Sequence, residues 1–312
     1  MNYIEFVGEK NSLIIDWTVS NVCNYDCHYC AKGSKDGSFS WPDIEQVRIT
    51  VQKLVSANKD KNITYVLMGG ELTLWKQFVT FIEMLRGETP NCTIKLLTNG
   101  IMPALYWQQN GKLFDRIQFS YHPEYKDNLN KFISAVNASS SKVNTVFVMS
   151  PPENFTDSVY AYDKLVAECP NTNMIIAKPI DGRAGPLKQL KDYTVEQSEW
   201  IRKSVVLRNT ENIKMPKFIG INEDGTEHVI EPLNLIITEN NKWKDWQCYV
   251  GVEKQTFNAT GDITRGSSCN VGSVLGNWRT GDLNEIDTSP VICPYNNCFC
   301  GSDITVSRKK YY

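Results

Sequence analysis

The stretch Val22-Cys23-Asn24-Tyr25-Asp26-Cys27-His28-Tyr29-Cys30 decides how the rest of the chain is read. It holds three cysteines spaced C-x3-C-x2-C, with an aromatic residue directly before the last. Thiolates this close can face one metal centre, and three of them leave a fourth coordination seat unfilled. A [4Fe–4S] cluster with three protein ligands keeps one iron open for another molecule. Structural zinc needs a fourth protein ligand, which here would be His28 folded back between two ligating cysteines. The spacing favours iron–sulfur over zinc, with a disulfide or inert thiols behind both.

Working outward, the preceding run Ser12–Val19 is compact and mostly apolar, as suits a buried parallel strand. Downstream, Ser40-Trp41-Pro42-Asp43 predicts a helix start, with Ser40 as cap and proline in the first turn. Apolar residues then recur at helical spacing from Ile44 to Val55. Strand patterns follow at Ile63–Met68, Thr93–Leu97, Arg116–Ser120, Thr145–Met149 and Asn173–Ala177, with helical patterns between. The last helix of the series is expected over roughly Val195–Leu207. Such alternation implies parallel strands with crossover helices. The fold class expected is α/β, a partial (β/α)6 TIM-type barrel followed by a small β-rich, cysteine-ligated C-terminal domain. Active sites in such barrels lie at the C-terminal strand ends. There the sequence places the cysteine loop, Gly69-Gly70-Glu71, Asn99, and Ser120 with His122.

Cys23, Cys27, Tyr29 and Cys30 resemble the signature of radical S-adenosylmethionine (SAM) enzymes. The resemblance implies that the open iron chelates the amino and carboxylate groups of SAM. One electron then cleaves the sulfonium to give a 5′-deoxyadenosyl radical, which takes hydrogen from an unactivated C–H bond. Gly69-Gly70-Glu71 resembles the family's second motif, whose backbone and acidic side chain hold the SAM ammonium. Glycine admits close backbone approach, and a carboxylate beside an amine adds a charge-assisted bond. Read without the family, the same tripeptide is a turn with an acid near a helix N-terminus. Ser120 is the family-implied contact to the SAM ribose. His122 either orients substrate or shuttles a proton, or it caps the strand end. Asn99 belongs to a Thr-Asn-Gly turn and is a candidate cofactor contact. Arg183 either meets SAM or a substrate carboxylate or is solvated.

Beyond residue 210 the composition changes, and Phe218–Ile221, His228–Ile230 and Leu233–Thr238 read as short β runs. Cys248, Cys269, Cys293, Cys298 and Cys300 form a second group, with a glycine-turn hairpin between the first two. This resembles the SPASM/twitch extension, in which an auxiliary iron–sulfur cluster is bound. A full SPASM extension uses seven cysteines for two clusters; five here permit one auxiliary [4Fe–4S] cluster. Four would fill it: Cys248, Cys269, Cys293 and one of the Cys298/Cys300 pair. Structural zinc suits four thiolates equally well. The divisions expected are a barrel at 1–210, a connecting β region at 211–244 and the auxiliary cluster domain at 245–312.

The chain has 312 residues, 41% apolar, with a formal net charge of −2. No basic run marks a nucleic-acid footprint, so nucleic acid ranks lowest among partners. No stretch has the length of a membrane span, and ten cysteines without an apolar N-terminal signal point to metal in a reducing, cytoplasmic setting. Cys92 and Cys169 read as ordinary thiols. Tyr106-Trp107, Trp243 and Trp246 either line the barrel mouth or fill the core. Relatives with such extensions imply a peptide substrate undergoing oxidation, crosslinking, epimerisation or rearrangement. Only about ten residues precede the barrel, which weakens the peptide reading without displacing it and leaves a small molecule or modified nucleoside as the close runner-up. An electron donor such as flavodoxin or ferredoxin is implied. A non-catalytic metal-binding scaffold is the reading of another class, and 5′-deoxyadenosine formation separates the two.

Overall fold

The computed structural model describes residues 3–180, 192–209, 211, 218–267, 269, 271–272, 274–283, 289–298 and 300–310. Arg183 lies outside them. After strand β1 (Tyr3–Val7) the chain alternates β2 (Ser12–Thr18), α1 (Ile44–Ala57), β3 (Asn62–Met68), α2 (Phe78–Glu88), β4 (Thr93–Thr98) and α3 (Ala104–Asn110). The series continues with β5 (Arg116–Tyr121), α4 (Leu129–Ala138), β6 (Val143–Met149), α5 (Phe155–Glu168) and β7 (Met174–Lys178). Strands β2 to β7 pair in parallel in chain order, each joined to the next by a crossover segment. This is the mixed α/β, partial-barrel architecture that the alternation implies.

Three local expectations are corrected. Helix α1 starts at Ile44, not near Ser40, because Asp43 caps it by accepting from the Gln46 N–H at 3.0 Å. The helix expected to reach Leu207 stops as α6 (Val195–Lys203). Its β-branched continuation Val205-Val206 becomes β8 (Val205–Leu207), antiparallel to β7. The run expected as a strand from Leu233 is helix α7 (Pro232–Ile237), where Pro232 presets the first helical φ.

The remaining strands are short: β9 (Ile219–Asn222), β10 (Glu227–Val229), β11 (Trp246–Cys248), β12 (Lys254–Phe257), β13 (Asp262–Thr264), β14 (Gly276–Asn277), β15 (Asp282–Leu283), β16 (Val291–Ile292) and β17 (Arg308–Lys310). They divide between two sheets. One has the order β10-β9-β1-β17-β11-β16; the other runs β15-β14-β13-β12-β2-β3-β4-β5-β6-β7-β8. Strand β12 therefore extends the parallel barrel sheet beside β2, with Lys254 opposite Ile14.

Trp17 shows why the two regions meet there. It is fully buried, and its ring meets Phe81 of α2, Phe257 of β12 and Trp278 edge-on at 5.6, 5.1 and 5.2 Å. Each such contact contributes about 0.5–1.5 kcal/mol beyond the apolar area it buries. Trp107 and Trp243 are also core residues, at 0% and 1% exposure, and none of the tryptophans expected at the barrel mouth lines it. Trp243 and Trp246 instead border a separate cavity of ≈ 600 Å³ between β1, β10 and α7.

Candidate active site

The cysteine loop leaves the C-terminal end of β2, and its backbone is tied to the turn after β3. Gly70 N–H donates to Ser20 O at 3.0 Å, and Glu71 N–H to Val22 O at 2.8 Å. A Cβ on Gly70 would stand 2.1 Å from Val22 O, so only glycine allows the two segments to lie together. The tip of the loop is held by the segment after β5. Tyr25 stacks on Tyr125 at 3.7 Å, and Asp26 N–H donates to the Tyr125 hydroxyl at 2.6 Å. His28 bridges Glu124 and Glu153 through its two ring nitrogens. Asn99 reaches across to Asn24 at 3.0 Å. These tethers, Tyr125 and Asn24 above all, were not foreseen from the sequence; the Tyr-His-Pro-Glu-Tyr run carried no signal beyond its strand-end position.

One cavity of ≈ 540 Å³ opens at this rim. It is lined by Cys23, Cys27, Tyr29, Cys30, Gly69, Gly70, Asn99, Ser120 and His122. All the residues expected from strand ends thus converge, with one exception. Glu71 is not on the wall: its carboxylate is fully buried and accepts four hydrogen bonds. Three come from Thr73 N–H (3.2 Å), the Thr73 hydroxyl (2.6 Å) and the Thr98 hydroxyl (2.8 Å), and the fourth from Asn99 N–H (2.6 Å). Burial still raises its pKa, against the pull of those donors. In this structure Glu71 braces the ends of β3 and β4.

The Tyr29 hydroxyl lies 2.6 Å from His122 Nδ1, and Cys27 Sγ lies 3.4 Å from the same nitrogen. Burial holds the His122 imidazole down at about 4, so near neutral pH the ring is uncharged and Nδ1 is free to accept. Burial pushes the Cys27 thiol up to about 12 and also raises Cys23. Such thiols keep their protons until a metal replaces them. Three thiols at one wall, beside a glycine turn, fit a cluster with three protein ligands.

In the second cysteine group, Cys248 and Cys298 lie within reach of the charge of buried Arg308. Cys248 lies on β11 and Cys293 directly after β16, its antiparallel neighbour. Burial pushes the Cys269 thiol up to about 12, and Asp303, Cys298, Cys248 and Cys293 add to the rise. Arg308 Nη2 lies 3.5 Å from Cys298 Sγ. Cys300 instead turns to the Ser302 hydroxyl at 3.2 Å. Among the described residues no three His, Cys, Asp or Glu side chains converge closely enough to hold a single metal ion. A four-iron cluster spreads its thiolates over separate irons and needs no such convergence. Cys92 and Cys169 are buried, far in sequence from both groups.

Parallel strands whose C-terminal ends surround a three-cysteine loop define a recognisable class. Residues 17–135 match the family model described as Radical SAM superfamily. Among solved structures, it superimposes on native anSMEcpe with bound AdoMet at TM-score 0.53 and 13% identity, covering 89% of this chain and 80% of that one. The same protein with bound AdoMet and Kp18Cys peptide gives TM-score 0.53 at 14% identity, covering 89% and 81%. At these identities the likeness is one of fold. No curated protein matches the chain at the sequence level.

Proposed function

We propose that this chain is a radical SAM enzyme that oxidises, crosslinks, epimerises or rearranges a peptide at a C–H bond. The observation that carries the reading is the convergence of Cys23, Cys27 and Cys30 with Gly69, Gly70, Asn99 and Ser120 on one cavity. The chemistry supplied when cluster and SAM are bound is one-electron cleavage of SAM to a 5′-deoxyadenosyl radical that abstracts hydrogen. The chain's part is to hold and orient. Cys23, Cys27 and Cys30 are the cluster ligands, and the backbone of Gly69 and Gly70 and the side chains of Asn99, Ser120 and Tyr29 receive SAM. His122, neutral and bonded to the Tyr29 hydroxyl, fixes that ring beside Cys27. Glu71 acts on the cofactor through Asn99 and the glycine turn.

Cys248, Cys269, Cys293 and Cys298 hold an auxiliary [4Fe–4S] cluster, with Cys300 as the spare thiol of the pair. Residues 1–210, 211–244 and 245–312 serve as barrel, connection and SPASM/twitch-like cluster domain. A peptide substrate is supported by the peptide bound to a protein of the same fold. A cytoplasmic setting with a flavodoxin or ferredoxin donor completes the reading; among the described residues no helix is long and apolar enough to cross a membrane.

The test is iron, sulfide and zinc per chain after anaerobic reconstitution, followed by 5′-deoxyadenosine formation from SAM and a reductant. About eight irons and slow uncoupled SAM cleavage are expected. About four irons with one zinc would reduce the second site to a structural clip. Zinc without iron would sink the radical reading.

A further inference from the structure

Two ammonium groups and, among the described residues, no carboxylate line the cavity. Lys35 is engaged, paired with Asp26 at 2.5 Å and donating to Cys27 O at 2.5 Å. Lys178 is not. It is the last residue of β7 and opens into the cavity, where its Nζ sits 5.0 Å from the centre of the Phe147 ring. Among the described residues its ammonium has no ion pair or hydrogen bond. The aromatic face compensates a cation only in part, by about 0.5–2 kcal/mol. Lys178 is exposed at the mouth of the cavity, and partial desolvation there lowers its pKa.

The backbone around Lys178 is fixed. Met149 of β6 stands opposite it, Ser150 N–H donates to its carbonyl at 2.9 Å, and the Tyr193 hydroxyl ties Ile180 to Ser150. Two further cations stand deeper in the barrel, where the carboxylates of Glu9, Asp16 and Asp115 also act on Lys95. Two residues below Leu97 and Gln118 of the cavity wall, Lys95 and Arg116 face the same barrel interior by strand alternation and stand in register. Burial, and then the charge of Arg116, lower the Lys95 pKa, and Arg116 Nη2 is buried without a partner. The sheet order divides the rim. The cysteine loop, the glycine turn, Asn99 and Ser120 follow or end β2 to β5, leaving β6 and β7, with Phe147, Met149 and Lys178, for what is not cofactor.

We infer that Lys178, seated on Phe147, anchors a carboxylate of the substrate in the β6–β7 half of the cavity. The inference rests on the reading of this cavity as a SAM-dependent site. A carboxylate is also what SAM itself carries, so the test separates the two sources. Iron-reconstituted full-length protein, with and without SAM, is trace-acetylated and acetyl-Lys178 is quantified by mass spectrometry. The probes are N-acetyl tetrapeptides of random sequence with a free C-terminal carboxylate, their C-terminally amidated twins, and the pair glutarate and glutaramide.

SAM should leave the labelling of Lys178 unchanged. In the SAM-loaded protein a carboxylate probe should protect Lys178 at about tenfold lower concentration than its amide twin, as a charge-assisted bond requires. Protection by the peptide acid or by glutarate supports the anchor and tells a peptide from a small acid. In Lys178→Met, equilibrium dialysis should find acid and amide bound equally. Protection by SAM alone would assign Lys178 to the cofactor and overturn the inference. Equal protection by acid and amide, or none by any probe, also overturns it. If the wild-type protein forms no 5′-deoxyadenosine, the underlying reading fails instead, whatever the labelling shows.

Discussion

Glu71 shows how far a residue's type can be read from sequence and its direction cannot. The Gly-Gly-Glu tripeptide was legible as a strand-end motif, but nothing in the pattern says that the carboxylate turns inward to Thr73, Thr98 and Asn99. Glu71→Gln puts an amide donor against the Asn99 N–H or the Thr73 N–H, a loss of about 1–3 kcal/mol in urea unfolding of the metal-free chain. A variant that weakens SAM binding with stability unchanged would place Glu71 on the cofactor instead. His122 gives a pH signature of the opposite kind from an ordinary surface imidazole. Its pKa falls from 6.5 to about 4 on folding, so its share of stability is present above pH 6.5 and is lost as pH falls toward 4. The loss should be about 3 kcal/mol in the metal-free chain, and His122→Gln should flatten that part of the profile. Lys178 stands at a strand end like the other candidates and was legible by the same rule, but the strand pattern was read only as far as Ala177.

At the level of elements, the six parallel strands and the placement of the cysteine loop followed from short apolar runs and their alternation with helical patterns. The short elements did not. β8 and α7 were misassigned because a handful of apolar residues fits either period, and their neighbours in the fold decide which they adopt. The contact between cysteine loop and glycine turn makes a firm prediction. Gly70→Ala forces Val22 O away, so the variant should lose the barrel cluster while keeping the other, seen as iron falling from about eight to about four per chain. The two neighbouring C-terminal cysteines should part company in the same assay. Cys298→Ser, next to Arg308, is expected to lose the auxiliary iron, and Cys300→Ser, paired with Ser302, to retain it. The reverse result would exchange their roles.

Across the whole molecule, barrel and C-terminal region share a sheet and a buried charge cluster, neither of which local pattern reveals because their partners lie more than two hundred positions apart. Lys254, 1% exposed, pairs with Asp16 of β2 at 2.7 Å and with Asp303 at 3.0 Å. Removing one member of such a cluster strands the others, so Lys254→Met should cost about 3–5 kcal/mol. A single urea transition at lower midpoint would show that the two regions unfold together, and two separated transitions would show that they do not.

Strand β1 lies between β9 and β17, and Gly8 N–H reaches Ser307 across 299 positions. At ordinary ribosome speeds β9 emerges roughly 10–45 s after β1, and β17 roughly 15–60 s after it. During that interval β1 is an unpaired strand on a nascent chain, within reach of other nascent chains on the same message. Its sheet cannot close until β17 has been made, so one of the first strands synthesised waits on one of the last, and in that interval its open edge is a site where chains can pair with one another instead of folding.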